Sequence, residues 1–541
     1  MILPNRIVRR IFPGIPPIPI DGPSGSRVTH HPDALNGVLH VRHVSSCDQR
    51  TSFVPYLQLL LTVWAAARMT IDVLHDEVLL HIFHFDRLMF LDGLEDDRVT
   101  YLDVLEGFFR SWRWDRLIHV CQRWRSVVFS APKSLDLRLV CGPSTRVELA
   151  GIWPPLPIII KDIVGFPMPE DYDFNASIVD PNRVCEINLQ HLTSSQLQRL
   201  ASTMQEQFPA LTHLRLDGYY NRPVPALPDR FLGGSAPRLQ SLQLHSIPFP
   251  SLPNLLLSAT DLVDLILWNI PHSGYISPEM IATSLAVLAN LKSLAIGFEF
   301  PLSSSDRESQ RPLPSTFTTL PALARFQFQG ASEYLEDFVA RIEAPLLDSI
   351  RITFSHQLIF FIPQLAQFVR RTARFEALNE THVDFDYSGV KVESLPLLPT
   401  QTSGGTSKFR ISCEEWDQQL LSLTQVFRSS LPSIHVAERL YISGSRYLPS
   451  QWQDDIESME WLRAFTLVKN LYVSKEFAQF IASVLAGDRM TDVLPALETL
   501  FLEETQPSGP VQEALEPFVA ARRLLGCPVA VSRWNMTREA Y

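Results

Sequence analysis

A six-position phrase, apolar-x-x-apolar-x-apolar, recurs along most of this 541-residue chain and constrains its fold more than any other feature. It reads LTHLRL from 211, LQSLQL from 239, LVDLIL from 262, LKSLAI from 291, LARFQF from 323 and LDSIRI from 347. It returns as AERLYI from 437, VKNLYV from 468 and LETLFL from 497. Successive copies start 28, 23, 29, 32 and 24 residues apart in the first group, and 31 and 29 apart in the second. Weaker copies read CEINLQHLT from 185, HVDFDYSGV from 382 and KFRISCEEW from 408. One such phrase is a coincidence of apolar residues. Nine at near-regular spacing, within or slightly above the leucine-rich-repeat range, are a repeat array.

The phrase has a simple physical reading. Leu214 and Leu216 alternate as a short strand requires and point to one face, while Leu211 begins the turn onto that strand. Between phrases lie stretches such as SPEMIATSLAVLANL (277–291) and SKEFAQFIASVLAG (474–487), whose apolar residues recur at three- and four-residue steps. A strand and its return helix cannot bury their apolar faces alone, but stacked copies make a continuous core. The expected fold class is therefore α/β, with a leucine-rich-repeat-like solenoid over 132–541, parallel strands on its concave side and helices on its convex side. Segment 132–162, with its WPPLPIII, reads as the N-terminal cap, and 511–541 reads as a C-terminal repeat with a helix stop at Gly526. The copies mostly lack the asparagine of the standard motif, so other groups must satisfy the backbone at the turns. Outward positions between the core residues, such as Arg215, Gln243, Ile266, Tyr441 and Tyr472, offer a binding surface.

A chain of this length exceeds one compact core. Its 46% apolar and 19% charged residues suit folded structure, and a net charge of −11 argues against a phosphate-backbone binder, so no nucleic acid is expected. The six cysteines form no CxxC pair and no zinc-like group with histidines, which reads as reduced thiols, no metal and an intracellular chain, cytoplasmic or nuclear. The most apolar run, FVPYLQLLLTVWAAA (53–67), is too short to span a bilayer and carries Pro55 and Gln58, so no membrane is expected either.

The N-terminal part has a different character. Residues 1–68 read as a disordered or dispensable extension, or as translated upstream sequence. From Met69 the periodicity is helical: Leu74, Val78, Ile82 and Phe85 share one face, with Leu79 and Phe83 beside them. An acidic connector, LDGLEDDRVT (91–100), follows. Then LIHVCQRWRSVVF (117–129) places Leu117, Val120, Cys121, Trp124, Val127 and Val128 on one helical stripe. These two segments, in this order, resemble the F-box. Leu74, Glu77, Ile82 and Phe83 match its Leu-Pro-x-Glu opening and the apolar positions after it, with His75 where the family usually has proline. Leu117, Val120, Cys121, Arg123, Trp124 and Val128 match its later Val-Cys-x-x-Trp helix. Together with the irregular repeats, the order resembles the large F-box families of mushroom-forming fungi.

The resemblance implies a short all-α F-box over 69–131 that docks a Skp-type adaptor and, through it, a cullin, using Leu74, Glu77, Ile82, Phe83, Leu117, Val120, Cys121 and Trp124. The solenoid would then hold a target protein of unknown identity, as the substrate-recognition subunit of a ubiquitin ligase. No GxSxG, HExxH, GxxxxGK[ST] or GxGxxG motif occurs, and the fifteen histidines are scattered, so no catalytic residue and no cofactor is assigned. The competing reading is a leucine-rich interaction scaffold with no ligase role, whose F-box-like helices only cap the repeats.

Overall fold

The computed structural model describes residues 74–81, 83, 120–132, 134–135, 137–142, 156–162, 169–174, 178, 180–219, 224–299, 317–354, 362–375, 378–386, 389–396, 408–413, 436–444, 461–485, 493–503 and 510–534. The extension 1–68, the connector 91–100, the polar loop 302–311, Ile82 and Leu117 lie outside the described residues. The chain divides into two compact units, one made of Met1–Arg98 with Trp114–Asp136 and the other of Val99–Arg113 with Leu137–Tyr541.

In the first unit the described residues form two helices. Helix α1 begins at residue 76 and reaches 83, and α2 is Gln122–Ser130. The carbonyl of His75 accepts the N–H groups of Val78 (3.0 Å) and Leu79 (3.1 Å), so Leu74 precedes the first turn rather than lying on the helix face. At α2 the sequence expectation is corrected. The helix does not run through LIHVC: Val120 lies in a turn, and Cys121 is extended (φ −159°, ψ 169°), its sulfur accepting the Trp124 N–H. A residue in that conformation with a side chain capping the first turn is an N-cap, which ends the helix on its N-terminal side.

The second unit is mixed α/β around one large sheet. Its strands are β1 (Leu139–Cys141), β2 (Ile158–Lys161), β3 (Val184–Leu192), β4 (His213–Gly218), β5 (Ser241–His245), β6 (Asp264–Ile270) and β7 (Ser293–Phe298). They continue as β8 (Thr318–Thr319), β9 (Arg325–Gly330), β10 (Ile342–Glu343), β11 (Ser349–Phe354), β12 (Leu378–Asp386), β13 (Gly389–Pro396) and β14 (Lys408–Cys413). The last four are β15 (Arg439–Gly444), β16 (Asn470–Val473), β17 (Thr499–Glu503) and β18 (Ala530–Trp534). Sixteen of them form one sheet in the order β1-β2-β3-β4-β5-β6-β7-β9-β11-β14-β13-β12-β15-β16-β17-β18, while β8 and β10 pair separately. Every pairing in the large sheet is parallel except those that β13 makes with β12 and with β14.

The recurring phrase explains this regularity. In seven of the nine copies the first apolar residue closes a tight turn. The N–H of Leu211 donates to Phe208 (3.1 Å), that of Leu239 to Ala236 (3.1 Å) and that of Leu291 to Leu288 (3.2 Å). The next two apolar positions, such as Leu214 and Leu216 or Leu265 and Leu267, turn into the core at no more than 3% exposure. The helices that return the chain are α3 (Ser194–Thr203), α4 (Leu252–Leu256), α5 (Pro278–Leu285), α6 (Ser332–Val339), α7 (Pro363–Arg371), α8 (Lys475–Leu485) and α9 (Pro510–Leu524). Their starts are legible in the chain. Thr193 and Gln196 form a reciprocal capping box at α3, and Ser277 caps α5 just ahead of Pro278. Strand and helix apolar residues share one continuous core.

Backbone groups do the work of the missing asparagines. The carbonyl before a strand accepts two N–H groups from the next copy: Thr212 takes Gln240 (2.8 Å) and Ser241 (3.0 Å), and Lys469 takes Glu498 (2.9 Å) and Thr499 (3.0 Å). Past the strands, the Ser246 N–H donates to the Trp268 carbonyl (2.9 Å) and the Tyr219 N–H to Leu192 (2.9 Å). At the far end α9 stops at Gly526 (φ +79°), a conformation glycine adopts without a Cβ penalty, before β18 joins the sheet edge.

Candidate functional site

Two places in the chain concentrate recognition chemistry. The first is the helical pair. Arg123 on α2 reaches α1, where its guanidinium pairs with the Asp76 carboxylate (2.7 Å) and donates to the Leu74 carbonyl. Beneath this link the rings of Phe83 and Trp124 meet with centroids 4.7 Å apart and planes tilted by 58°. Both rings are buried, as are Leu79, Val127 and Val128. The Trp124 indole N–H is buried and has no acceptor among the described residues.

Of the expected adaptor contacts, Phe83 and Trp124 thus lie inside the helical unit and touch each other. Glu77 is exposed, Leu74, Val120 and Cys121 are half-buried, and Ile82 and Leu117 lie outside the described residues. The helical periodicity of Trp124 reports its burial but not whether the burying surface belongs to the same unit or to another molecule. Arg123 and Asp76 form a link that periodicity does not expose, because its two halves are 47 residues apart.

The second place is the face of the sheet opposite the strand core residues. Strand register lines up one row across seven neighbouring strands: Arg351 (β11), Arg410 (β14), Glu393 (β13), His382 (β12), Tyr441 (β15), Tyr472 (β16) and Phe501 (β17). Its aromatic end is a ladder. His382 and Tyr441 stack at 4.3 Å and 8°, Tyr441 and Tyr472 at 4.2 Å and 7°, and Tyr472 and Phe501 at 4.4 Å and 5°. Trp534 of β18 stands edge-on to Tyr472 (5.3 Å, 73°) and Tyr441 (5.9 Å, 67°), and its N–H donates to the Val473 carbonyl (3.4 Å). All five rings are half-buried. Burial pushes the Tyr441 phenol above its ordinary value, and the Glu380 carboxylate adds to the effect.

The charged end is built around Glu393, which is buried and accepts from Arg410 (2.6 Å) with Lys391 at 3.2 Å. Burial works to raise this carboxyl, but the Arg410 guanidinium and the Lys391 ammonium outweigh it and hold Glu393 below the usual carboxylate range. Alternation along the strands places Tyr441 and Tyr472 outward, as expected from the sequence, but His382, Phe501 and Trp534 escaped that reading. A signal was present: the fifth position of the last three phrase copies is Tyr441, Tyr472 and Phe501 in turn.

No described helix is long and apolar enough to cross a membrane. Among the described residues no group of three or more His, Cys, Asp or Glu is arranged to hold a metal. Comparison of the chain with protein-family models and with curated proteins finds no match to either.

Proposed function

We propose that this chain is the substrate-recognition subunit of a Skp-cullin-F-box ubiquitin ligase, non-catalytic itself and cytoplasmic or nuclear. In this reading α1 and α2 are an F-box that docks a Skp-type adaptor and, through it, a cullin. The strand–helix copies are a leucine-rich-repeat-like solenoid whose open strand face holds a target protein. The observation that carries the reading is the packing of α1 on α2. The Asp76–Arg123 ion pair and the Phe83–Trp124 contact join the two segments whose order and residues resemble the F-box. A receptor of this kind needs no nucleophile, because holding a target beside a ubiquitin-charged enzyme raises the local concentration of the reacting groups.

The test is co-purification of the full chain with a Skp adaptor from a mushroom-forming fungus. Trp124→Ala is a poor discriminator, since removing a ring packed inside the unit costs about 3–5 kcal/mol and unfolds it whether or not an adaptor binds. Val120→Asp and Glu77→Lys alter half-buried and exposed positions instead. The expected outcome is a stoichiometric complex that both variants lose while circular dichroism stays unchanged. Failure of the folded wild-type chain to bind any such adaptor would sink the ligase reading. A leucine-rich scaffold with no ligase role is the second reading, favoured by the burial of Trp124 within its own unit at 8% exposure.

A further inference from the structure

The chain carries a net charge of −11, yet the charged end of the row on the open sheet face is cationic. Arg351 and Arg410 are register neighbours on β11 and β14, and Lys391 lies on the next strand, β13. Their one anionic partner in the row, Glu393, is already engaged by Arg410 and Lys391. Arg351 is exposed and makes no hydrogen bond or ion pair among the described residues. Partial burial and the adjacent Arg410 push its guanidinium below the ordinary value and outweigh the opposing pull of the Glu393 carboxylate two strands away. Glu393 therefore fixes Arg410 in place and leaves Arg351, whose other register neighbour is the uncharged Gln327 of β9, without an ion pair among the described residues.

Farther along the same row the rings of His382, Tyr441, Tyr472 and Phe501 are stacked on one another, so their edges, not their faces, meet whatever approaches. Such rings are already ordered. Contact with them buries apolar area at little further cost in side-chain entropy.

We propose that this face binds an extended acidic segment of a partner protein, whose carboxylate pairs with Arg351 while apolar or aromatic residues farther along the same segment rest on the Tyr441–Tyr472–Phe501 ladder beside Trp534. The inference rests on the reading of this face as the target-holding surface and does not depend on the adaptor. Strands lie about 4.8 Å apart, so four strand steps put Tyr441 roughly 19 Å from Arg351 and six put Phe501 roughly 29 Å away. An extended peptide advances about 3.3 Å per residue, which sets the acid roughly six to nine residues from its apolar anchors. A single carboxylate fits better than a dianionic group, because within the row, among the described residues, only the Arg351 guanidinium lacks an ion pair, and the Glu393 carboxylate lies two strands away.

A phage-displayed library of linear 16-residue peptides, selected on the immobilised full-length chain, tests this directly. The expected result is enrichment of sequences with Asp or Glu six to nine residues from an aromatic or aliphatic residue. A synthetic peptide of the winning sequence then binds Arg351→Gln about tenfold more weakly, and binds Arg351→Glu more weakly still. Exchanging its acid for lysine restores binding to Arg351→Glu. Tyr472→Ala weakens the same peptide, with circular dichroism confirming the fold. Selection without acidic enrichment, or a winning peptide indifferent to Arg351→Gln, overturns the proposal. A chain that selects acidic peptides yet binds no adaptor keeps this inference and loses the ligase reading.

Discussion

Glu336 on α6 shows how one side chain can tie successive copies together. Its two carboxylate oxygens accept the N–H groups of Gln364 and Leu365 at 2.8 Å each, in the first turn of α7. Those N–H groups have no partner within their own helix, so the carboxylate caps α7 from a distance of 28 residues. Burial pushes the carboxyl from 4.5 up to about 7, against the lowering effect of the two N–H donors. A carboxyl with a raised folded-state value holds a proton that the unfolded chain has released. Stability therefore falls as pH rises from about 4.5 to about 7 and levels off above. Glu336→Gln, which keeps one acceptor and cannot ionise, should remove that slope. Urea midpoints measured from pH 4.5 to 8 should show the wild type losing stability relative to the variant across this window, and a difference that stays constant or grows would refute the assignment. Such a tie was not legible in the sequence, where Glu336 reads as one more polar residue of a helix. Cys141 is buried, and burial raises its thiol to about 11, whereas Cys527 is exposed.

At the scale of elements, β12, β13 and β14 were the hardest part to read. The weak phrases from 382 and 408 are β12 and β14, and the alternation of Val383 and Phe385 into the core was visible in the letters. Their order in the sheet was not, because alternation sets which way a side chain points and is silent on which strand lies beside which. The strong phrases did not have this difficulty, since copies at near-regular spacing stack in sequence order. In the segment 117–129 the apolar stripe from Trp124 to Val128 predicts the helix that forms there. The start was placed too early, since Cys121 fits the stripe by spacing yet is the residue that caps it. Strands β12 and β13 also bury polar groups. Thr381 and Ser394, both at 0% exposure, face each other across β12 and β13 with their hydroxyls 3.4 Å apart, and Glu393 is buried on the opposite face. Removing the Glu393 carboxylate would leave Arg410 and Lys391 side by side without it. Glu393→Ala is expected to cost about 2 kcal/mol, less than for a fully dry pair because both cations are partly solvated. Its urea midpoint should recover in 1 M salt, which screens the remaining repulsion; a midpoint equal to the wild type at low salt would show that the triad contributes nothing.

At the scale of the molecule, neighbours hold neighbours. Each strand of the large sheet pairs only with those beside it, and α9 closes the last copy through buried Leu515 and Phe518. From the same helix, Arg522 donates to the carbonyls of Leu494, Pro495 and Leu497, in the turn leading to β17. Deleting 510–541 should therefore act locally. Hydrogen exchange is expected to speed up in β15, β16 and β17 and to stay unchanged in β3 to β7, and a uniform loss of protection would show that the sheet unfolds as one body. The lone antiparallel strand has a further consequence, one of parity. Crossing from β14 to β13 reverses the direction of travel, and crossing from β13 to β12 reverses it again, so β15 meets a neighbour with the same polarity that β14 would have offered. A parallel copy can enter such a sheet singly, but a strand that reverses direction must bring a second reversal with it, or every later copy would meet its neighbour with opposite polarity. The β12–β13 pair can thus be gained or lost as a unit, changing the open sheet face by two strands while both flanks keep their polarity.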